Sequence, residues 1–253
     1  MLTGARQKLI EDLAARNGEV VVSALAKQLG VSVETIRRDI TALCEAGKLI
    51  KVHGGAVSAT RPVAESDYQK RRSEGSQIKQ QLGALTATLV EPHDVIAIST
   101  GSTMEAVAGN ITDVEGLTVI TNSTGVAALL QQQCRCILLG GQLHPDEGYT
   151  FGPVTADQLA GFHTDKAFIT ASAVGVDGLM TTGIEEGDLA RKMMENASRV
   201  ILVVQSTKIG SRSVYRCAGL ELVDEIVTDA HRPLDPQFKK VVRDLGIKLH
   251  IVQ

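Results

Sequence analysis

The chain has 253 residues, 43% of them hydrophobic and 22% charged, with 3% aromatics and no tryptophan. No apolar run approaches the roughly 18 residues of a membrane helix. Residues 1–18 carry Arg6, Lys8, Glu11, Asp12 and Arg16 where a signal peptide would have an apolar core, so both kinds of segment are excluded. The net charge of −3 is unevenly spread: residues 1–60 hold 8 Lys+Arg against 6 Asp+Glu, residues 61–80 hold 5 against 3, and residues 81–253 hold 13 against 20. A mildly basic head on an acidic body suits a polyanion-binding module joined to something else, although surface charge often does no more than solvate. Cys44, Cys134, Cys136 and Cys217 have no metal-binding spacing, and no histidine neighbours the close pair Cys134 and Cys136. They read as reduced packing residues in a soluble cytoplasmic protein that needs no metal or cofactor.

Ala5 to Arg16 has Leu9, Ile10 and Leu13 on one face and predicts a helix ended by Asn17-Gly18. Val20 and Val21 predict a short strand. Ser23 is the expected N-cap of a second helix, with Leu25, Ala26 and Leu29 inward and Gly30 as its stop. Ser32 is the expected cap of a third, where Val33, Ile36, Ile40 and Leu43 recur at spacings of a buried stripe.

That stripe leaves Ser32, Glu34, Thr35, Arg37, Arg38 and Thr41 on the other faces. Two arginines near a helix start oppose the macrodipole, which favours acids there. DNA phosphates and guanine edges would supply the missing negative partners. Helix, tight turn, and a second helix with its first half exposed is helix-turn-helix geometry. Lys48 to Val52, the turn His53-Gly54-Gly55 and then Ala56-Val57 predict a two-stranded wing, with Lys48, Lys51 and His53 placed to touch the DNA backbone.

The run Val31-Ser32, Thr35 to Ile40 and Gly47 to Ala56 resembles the winged helix-turn-helix of the DeoR family of bacterial transcriptional regulators. Lys51 and Val52 depart from it mildly, standing where the family often has arginine and a second polar residue. A winged three-helix unit that binds protein instead of DNA is the competing reading. It would leave Arg37 and Arg38 without partners.

Residues 58–76 have one proline, few large apolar residues and the cluster Lys70-Arg71-Arg72. They read as a tether followed by a loop or short helix, whose basic residues either add DNA affinity or simply solvate a connector. The expected organisation is a head over residues 1–57, a linker over 58–76 and a body over 77–253.

In the body, helical periodicity from Gln77 to Val90 leads to the strand Val95–Ile98 and the loop Ser99 to Thr103, then a helix from Met104. Leu117–Thr121, Cys136–Leu139, Lys166–Thr170, Val200–Val204, Ile226–Thr228 and Lys248–Val252 predict further strands. Helices are expected near Val126–Gln132 and Leu189–Ala197. The alternation predicts an α/β domain with a mostly parallel sheet and a ligand beyond the strand C-termini. Thr100, Gly101, Ser102 and Thr103, between a strand and a helix start, read either as an anion-binding turn or as an ordinary tight βα turn.

This half resembles the effector-sensing domain of the same family, which is similar to ribose-5-phosphate isomerase. The matching pieces are Ser99 to Thr103, Thr118 to Ser123, Ile137 to Gly141, Gly152-Pro153, Asp165 to Phe168, Gly183 to Glu186 and Ser206 to Gly210. The resemblance implies a DNA operator and a phosphorylated sugar-like effector as partners, and repression as the commoner mode. A homo-oligomer, dimer or tetramer, is expected because one small module binds DNA weakly. Candidate effector residues are Thr100 to Thr103, Asn122, Gly140, Gly141, Glu185 and Lys208. Of these, Asn122, Glu185 and Lys208 are each either ligand contacts or local structural hydrogen bonders.

No catalytic residue is expected. Isomerisation of a sugar phosphate needs a positioned carboxylate base, and Ala171 to Val174 offers none where the isomerase pattern is acid-rich. The alternative is an isomerase-like enzyme carrying a DNA-binding domain. Two departures bear on the ligand: Ser99 replaces a usual acid, and Gln205-Ser206 stand where the family has aspartate and histidine. Fewer acceptors imply a ligand different from the family's common ones.

Overall fold

Helix α1 (Thr3–Asn17) opens a chain that the computed structural model describes over residues 3–17, 19–52, 54–58 and 68–252. His53 lies outside the described residues. The chain divides into two units, Met1–Ala64 and Glu65–Gln253.

In the first unit α1 is followed by β1 (Glu19–Val21), α2 (Val22–Leu29), α3 (Val33–Glu45), β2 (Leu49–Val52) and β3 (Gly55–Ser58). Gly30 stops α2 at φ 64, a left-handed conformation that costs glycine little, and its N–H donates to Ala26 O. The helix begins one residue before Ser23, with Val21 at the N-cap position and no side-chain cap, so the expected Ser23 cap is not formed. Ser32 does cap α3, its Oγ accepting from Thr35 N at 3.1 Å. Ile36, Ile40 and Leu43 are buried with Ile10, Ala14, Val20, Leu25 and Leu49. Val33 is 41% exposed and falls outside that stripe: in the first turn of α3 it reaches past the end of the core.

The wing has three strands rather than two. Strand β3 pairs antiparallel with β2 and also with β1, matching Val20 to Ala56. A Cβ on Gly55 would lie 2.0 Å from Val20 O, so only glycine lets these strands meet.

The second unit begins with α4 (Tyr68–Ser73) and α5 (Ser76–Ala87). It continues through β4 (Val95–Ile98), α6 (Ser102–Ala108), β5 (Thr118–Thr121), α7 (Thr124–Leu130), β6 (Arg135–Leu138), β7 (Gln142–Leu143), β8 (Thr150–Phe151), α8 (Pro153–Ala160) and β9 (Thr164–Ile169). Then come β10 (Ala173–Gly175), β11 (Gly178–Thr181), α9 (Ile184–Glu195), β12 (Ala197–Val203), β13 (Tyr215–Ala218), β14 (Glu225–Asp229), α10 (Pro236–Asp244) and β15 (Lys248–Val252).

Seven strands form one sheet in the order β15-β14-β12-β9-β4-β5-β6, and every neighbouring pair is parallel. Helices cover both faces, which is why the central strands are almost continuously apolar. The period of two still sorts their side chains. Ile96, Ile98, Phe168, Ile201, Val203 and Val227 pack with Leu82 of α5, Met104 of α6 and Val126 of α7. Ala97, Ala167, Ile169, Leu202 and Ile226 pack on the other face with Leu189 and Met193 of α9 and Phe238 of α10. Truncating the fully buried Phe168 to alanine costs about 3–5 kcal/mol, because it leaves a cavity between sheet and helices.

The small antiparallel sheet β10-β11-β13 and the ribbon β7-β8 are additions to the expected alternation. So are α8 and α10, both with proline at the first turn. Among the described residues no helix is long and apolar enough to cross a membrane.

Candidate functional site

Helix α3 owes its position to a buried ion pair on the side away from its arginines. Arg6 Nε of α1 donates to Asp39 Oδ2 at 2.5 Å, and Gln7 Nε2 donates to Asp39 Oδ1 at 3.2 Å. Both members are buried, and Asp39 holds the Arg6 guanidinium charged through that hydrogen bond. The pair fixes the rotation of α3 about its axis, so Arg37 and Arg38 point to solvent with side chains 64% and 82% exposed.

These arginines are not wholly without partners. Glu34 lies 3.8 Å from Arg37 Nη1 and 3.9 Å from Arg38 Nε. Exposed pairs of that length are worth about 0–1 kcal/mol and exchange readily for a phosphate or a base edge. A groove of about 360 Å³ separates α3 from β2, lined by Glu34, Arg37, Arg38, Thr41, Glu45 and Lys51. Lys51 therefore shares a surface with the two arginines. Lys48 does not line that groove; its Nζ donates to Glu11 Oε2 of α1 at 2.8 Å. Ser32 Oγ and Thr35 Oγ1 lie 2.8 Å apart, both engaged in the cap.

In the second unit the sheet places the remaining candidates. From β4 the chain steps outward through β5 and β6; from β9 it steps the other way through β12, β14 and β15. The order thus reverses between β4 and β9, and the crevice beyond the C-termini of such a strand pair is the usual ligand position in open α/β sheets. The loop Ser99 to Thr103 leaves β4 there. Thr100, Gly101 and Thr103 are buried and Ser102 is half-buried. Gly101 sits at φ 113, and a Cβ on it would lie 3.4 Å from Thr170 Cγ2 in the loop after β9. Ser99 Oγ accepts from Thr170 N at 3.3 Å, tying the two loops.

Lys208 reaches the same crevice from the turn after β12, its Nζ donating to Ala171 O at 2.8 Å. That turn is pinned by Asp229 of β14, which accepts from Ser206 N at 2.8 Å and from Ser206 Oγ at 2.6 Å. Ser206 is thus the hydrogen-bond partner of an acid that comes from another strand.

Asn122 follows β5, one strand away. Its Nδ2 donates to Thr150 O at 2.9 Å, while its Oδ1 is buried with no hydrogen-bond partner. Thr170 Oγ1 is in the same state. A buried amide oxygen left unpaired costs about 1–3 kcal/mol, which a ligand hydroxyl would recover.

Gly140 and Gly141 lie farther out, after edge strand β6. Gly140 N donates to Gln158 Oε1 and Gly140 O accepts from Thr155 Oγ1, both on α8. Glu185 stands exposed in the first turn of α9, where a helix dipole favours acids without any ligand. The loops that carry Thr100 to Thr103, Asn122 and Lys208 thus leave strands at the same end of the sheet, whereas Gly140 bonds to α8 and Glu185 stands exposed on α9.

Sequence reasoning missed the cover contributed by α4 and α5. Tyr68 is buried and its Oη donates to Glu105 Oε1 of α6. Arg72 Nε lies 3.0 Å from Glu105 Oε2. Arg71 Nη2 donates to Glu147 Oε2 in the segment between β7 and β8. Burial pushes the Tyr68 hydroxyl up, as does its bond to Glu105. Lys79 of α5 donates from Nζ to Arg71 O and, at 2.7 Å, to Glu74 O, so it caps the end of α4. Burial, then the charges of Lys208 and Arg71, push Lys79 down to about 8. Of the basic cluster in the expected linker, Arg71 is turned inward. Its spacing from Lys79 was visible in the chain; its carboxylate partner, 76 residues on, was not.

Comparison with known proteins agrees with this layout. Residues 6–62 match the model of the DeoR-like helix-turn-helix domain, and residues 74–230 match that of the DeoR C terminal sensor domain. The HTH-type transcriptional repressor GlcR of Bacillus subtilis (strain 168) is 31% identical over 222 residues, spanning 87% of this chain and 86% of that protein. The glycerol-3-phosphate regulon repressor of Escherichia coli (strain K12) is 28% identical over 249 residues, spanning 97% of this chain and 98% of its own length. Ribose 5-phosphate isomerase A of Methanocaldococcus jannaschii overlaps 54% of this chain and 55% of its own, at 17% identity and a TM-score of 0.41, too loosely for any residue-by-residue correspondence. The chain, a helix-turn-helix unit followed by a sensor domain, belongs to the DeoR family of transcriptional regulators.

Proposed function

We propose that this regulator represses a carbohydrate-metabolism operon by binding its operator through α3 and the wing, and that a phosphorylated sugar-like effector in the second unit relieves the repression. The observation that carries the DNA reading is the pair Arg37 and Arg38, held out to solvent by the buried Arg6–Asp39 contact on the opposite side of α3. Arg37 and Arg38 read base edges and phosphates, Glu34 and Thr35 flank them, Ser32 caps the helix, and Lys51 meets the backbone from the wing. Lys48 and His53 are assigned the same backbone role.

The effector reading rests on Lys208, the Thr100 to Thr103 loop and the idle Asn122 Oδ1, all at the C-terminal edge of the sheet. Gly140, Gly141 and Glu185 are proposed as its outer contacts. A regulator is favoured over an isomerase because the carboxylates nearby are engaged: Asp229 holds Ser206, and Glu105 holds Tyr68 and Arg72. The ligand is proposed to differ from the family's common ones, since Ser99 and Gln205 stand where the family has acids, which would accept more hydrogen bonds. The working species is a homo-oligomer, dimer or tetramer, presenting one head to each half-site.

A gel shift with the full chain on DNA flanking its own gene tests the reading. The wild type is expected to prefer that DNA over random competitor, and the double variant Arg37→Ala/Arg38→Ala to lose the preference. Equal behaviour of the two proteins would contradict it.

A further inference from the structure

The ion pair Arg71–Glu147 joins α4 to the segment between β7 and β8. Arg71 holds one face of α4 against the body, its guanidinium 5.6 Å from the Tyr68 ring centroid and its side chain 13% exposed. Its partner Glu147 sits in the segment between β7 and β8, which is tied to the corner that carries the idle acceptor Asn122 Oδ1. Thr124 N and Oγ1 donate to Gly148 O at 2.9 and 2.7 Å, so Glu147 is fixed next to the Asn122-Ser123-Thr124 corner after β5. Asn122 is 2% exposed and its Oδ1 has no partner. The contacts that hold α4 elsewhere do not involve Glu147: Tyr68 and Arg72 both go to Glu105, and Lys79 caps the helix end. Glu147 can therefore leave Arg71 without undoing the rest.

We propose that Arg71 is an effector ligand held in reserve by Glu147, and that a phosphomonoester bearing a hydroxyl displaces Glu147 from it. This rests on the effector reading given above. The phosphate offers a doubly charged acceptor matched to the guanidinium fork, whereas Glu147 offers one charge and is 25% exposed to competing water. The hydroxyl supplies the donor that Asn122 Oδ1 lacks. Because α4 is the first described helix after the head, exchange at Arg71 changes what anchors the root of the connection between the units.

The test is calorimetric titration of the full chain with inorganic phosphate. Glu147→Gln removes the competing charge and is expected to tighten phosphate about fivefold or more, while Arg71→Gln weakens it by a similar factor. In the double variant the gain from Glu147→Gln is expected to vanish, because it acts only through Arg71. A general field effect would instead let the gain persist, which overturns the proposal. Arg71→Lys, which keeps the charge and loses the fork, covers the case in which Arg71→Gln fails to fold, and is expected to bind phosphate more weakly than wild type. Asp157→Asn on the exposed side of α8 is the charge control, expected to leave phosphate binding unchanged. Unchanged affinity in both single variants would sink the exchange alone; a wild type that takes up no phosphate would sink the effector reading with it.

Discussion

The two halves of the molecule treat their cations in opposite ways. On α3, Arg37 and Arg38 stand in solvent with one loose acid between them, and the buried charge is on the far side, at Asp39. In the second unit, Arg71, Lys79 and Lys208 are turned inward onto Glu147, main-chain carbonyls and Ala171 O. An exposed pair of guanidinia suits a large polyanion that arrives from outside and is bound in competition with salt. Inward cations suit a small anion that must be selected and must change something when it binds. The contrast separates the half that reads from the half that decides.

The largest effect expected from breaking this contrast is at Asp39. Asp39→Ala leaves Arg6 without its carboxylate and lets α3 rotate, so DNA affinity should fall more than about tenfold while thermal unfolding of the second unit stays in place. Both would be read from one preparation by DNA titration and calorimetry.

Arg38→Ala should cost about 1–3 kcal/mol of operator binding and relax specificity, whereas Lys51→Ala should weaken all sequences alike and lower the salt slope by about 1. Titrations at several salt concentrations distinguish the two roles. Identical salt slopes would remove Lys51 from the interface.

Lys79 tests the inward half. Its folded value of about 8 lies below the ordinary 10.5, so the folded state sheds the proton first as pH rises. The cost of burying its charge is present below about pH 8 and is relieved between there and about 10.5. Wild type should therefore gain on the order of 1 kcal/mol over Lys79→Gln between pH 7 and 9 in urea unfolding. Parallel pH profiles would mean that Lys79 is solvated.

How much of this was legible in the chain follows the same division. The head is made of local signals: the Ile36, Ile40, Leu43 spacing, the Ser32 cap and the Gly30 stop each act within a few residues. The failures there were also local, since Ser23 was two residues too late to cap α2 and Val33 sat beyond the end of the core. In the body the strands of the main sheet were readable as apolar runs, and the reversal of strand order between β4 and β9 needed the structure. Helices α8 and α10 were not among the expected elements, although Pro153 and Pro236 open their first turns and Asp235 accepts from Gln237 N and Phe238 N. The clasp at Tyr68 and Arg71 joins residues 37 and 76 positions apart, and no periodicity reports such a contact.

The central claim is that occupancy of the second unit by a small phosphorylated ligand controls DNA binding by the first. It is tested most directly by a gel shift of the full chain on DNA flanking its own gene, repeated across a panel of phosphorylated sugars and polyols. The account predicts a sequence-specific complex that one member of the panel dissolves and that its unphosphorylated counterpart leaves intact. A complex that forms but is released equally by the unphosphorylated compound, or no specific complex at all, would contradict it.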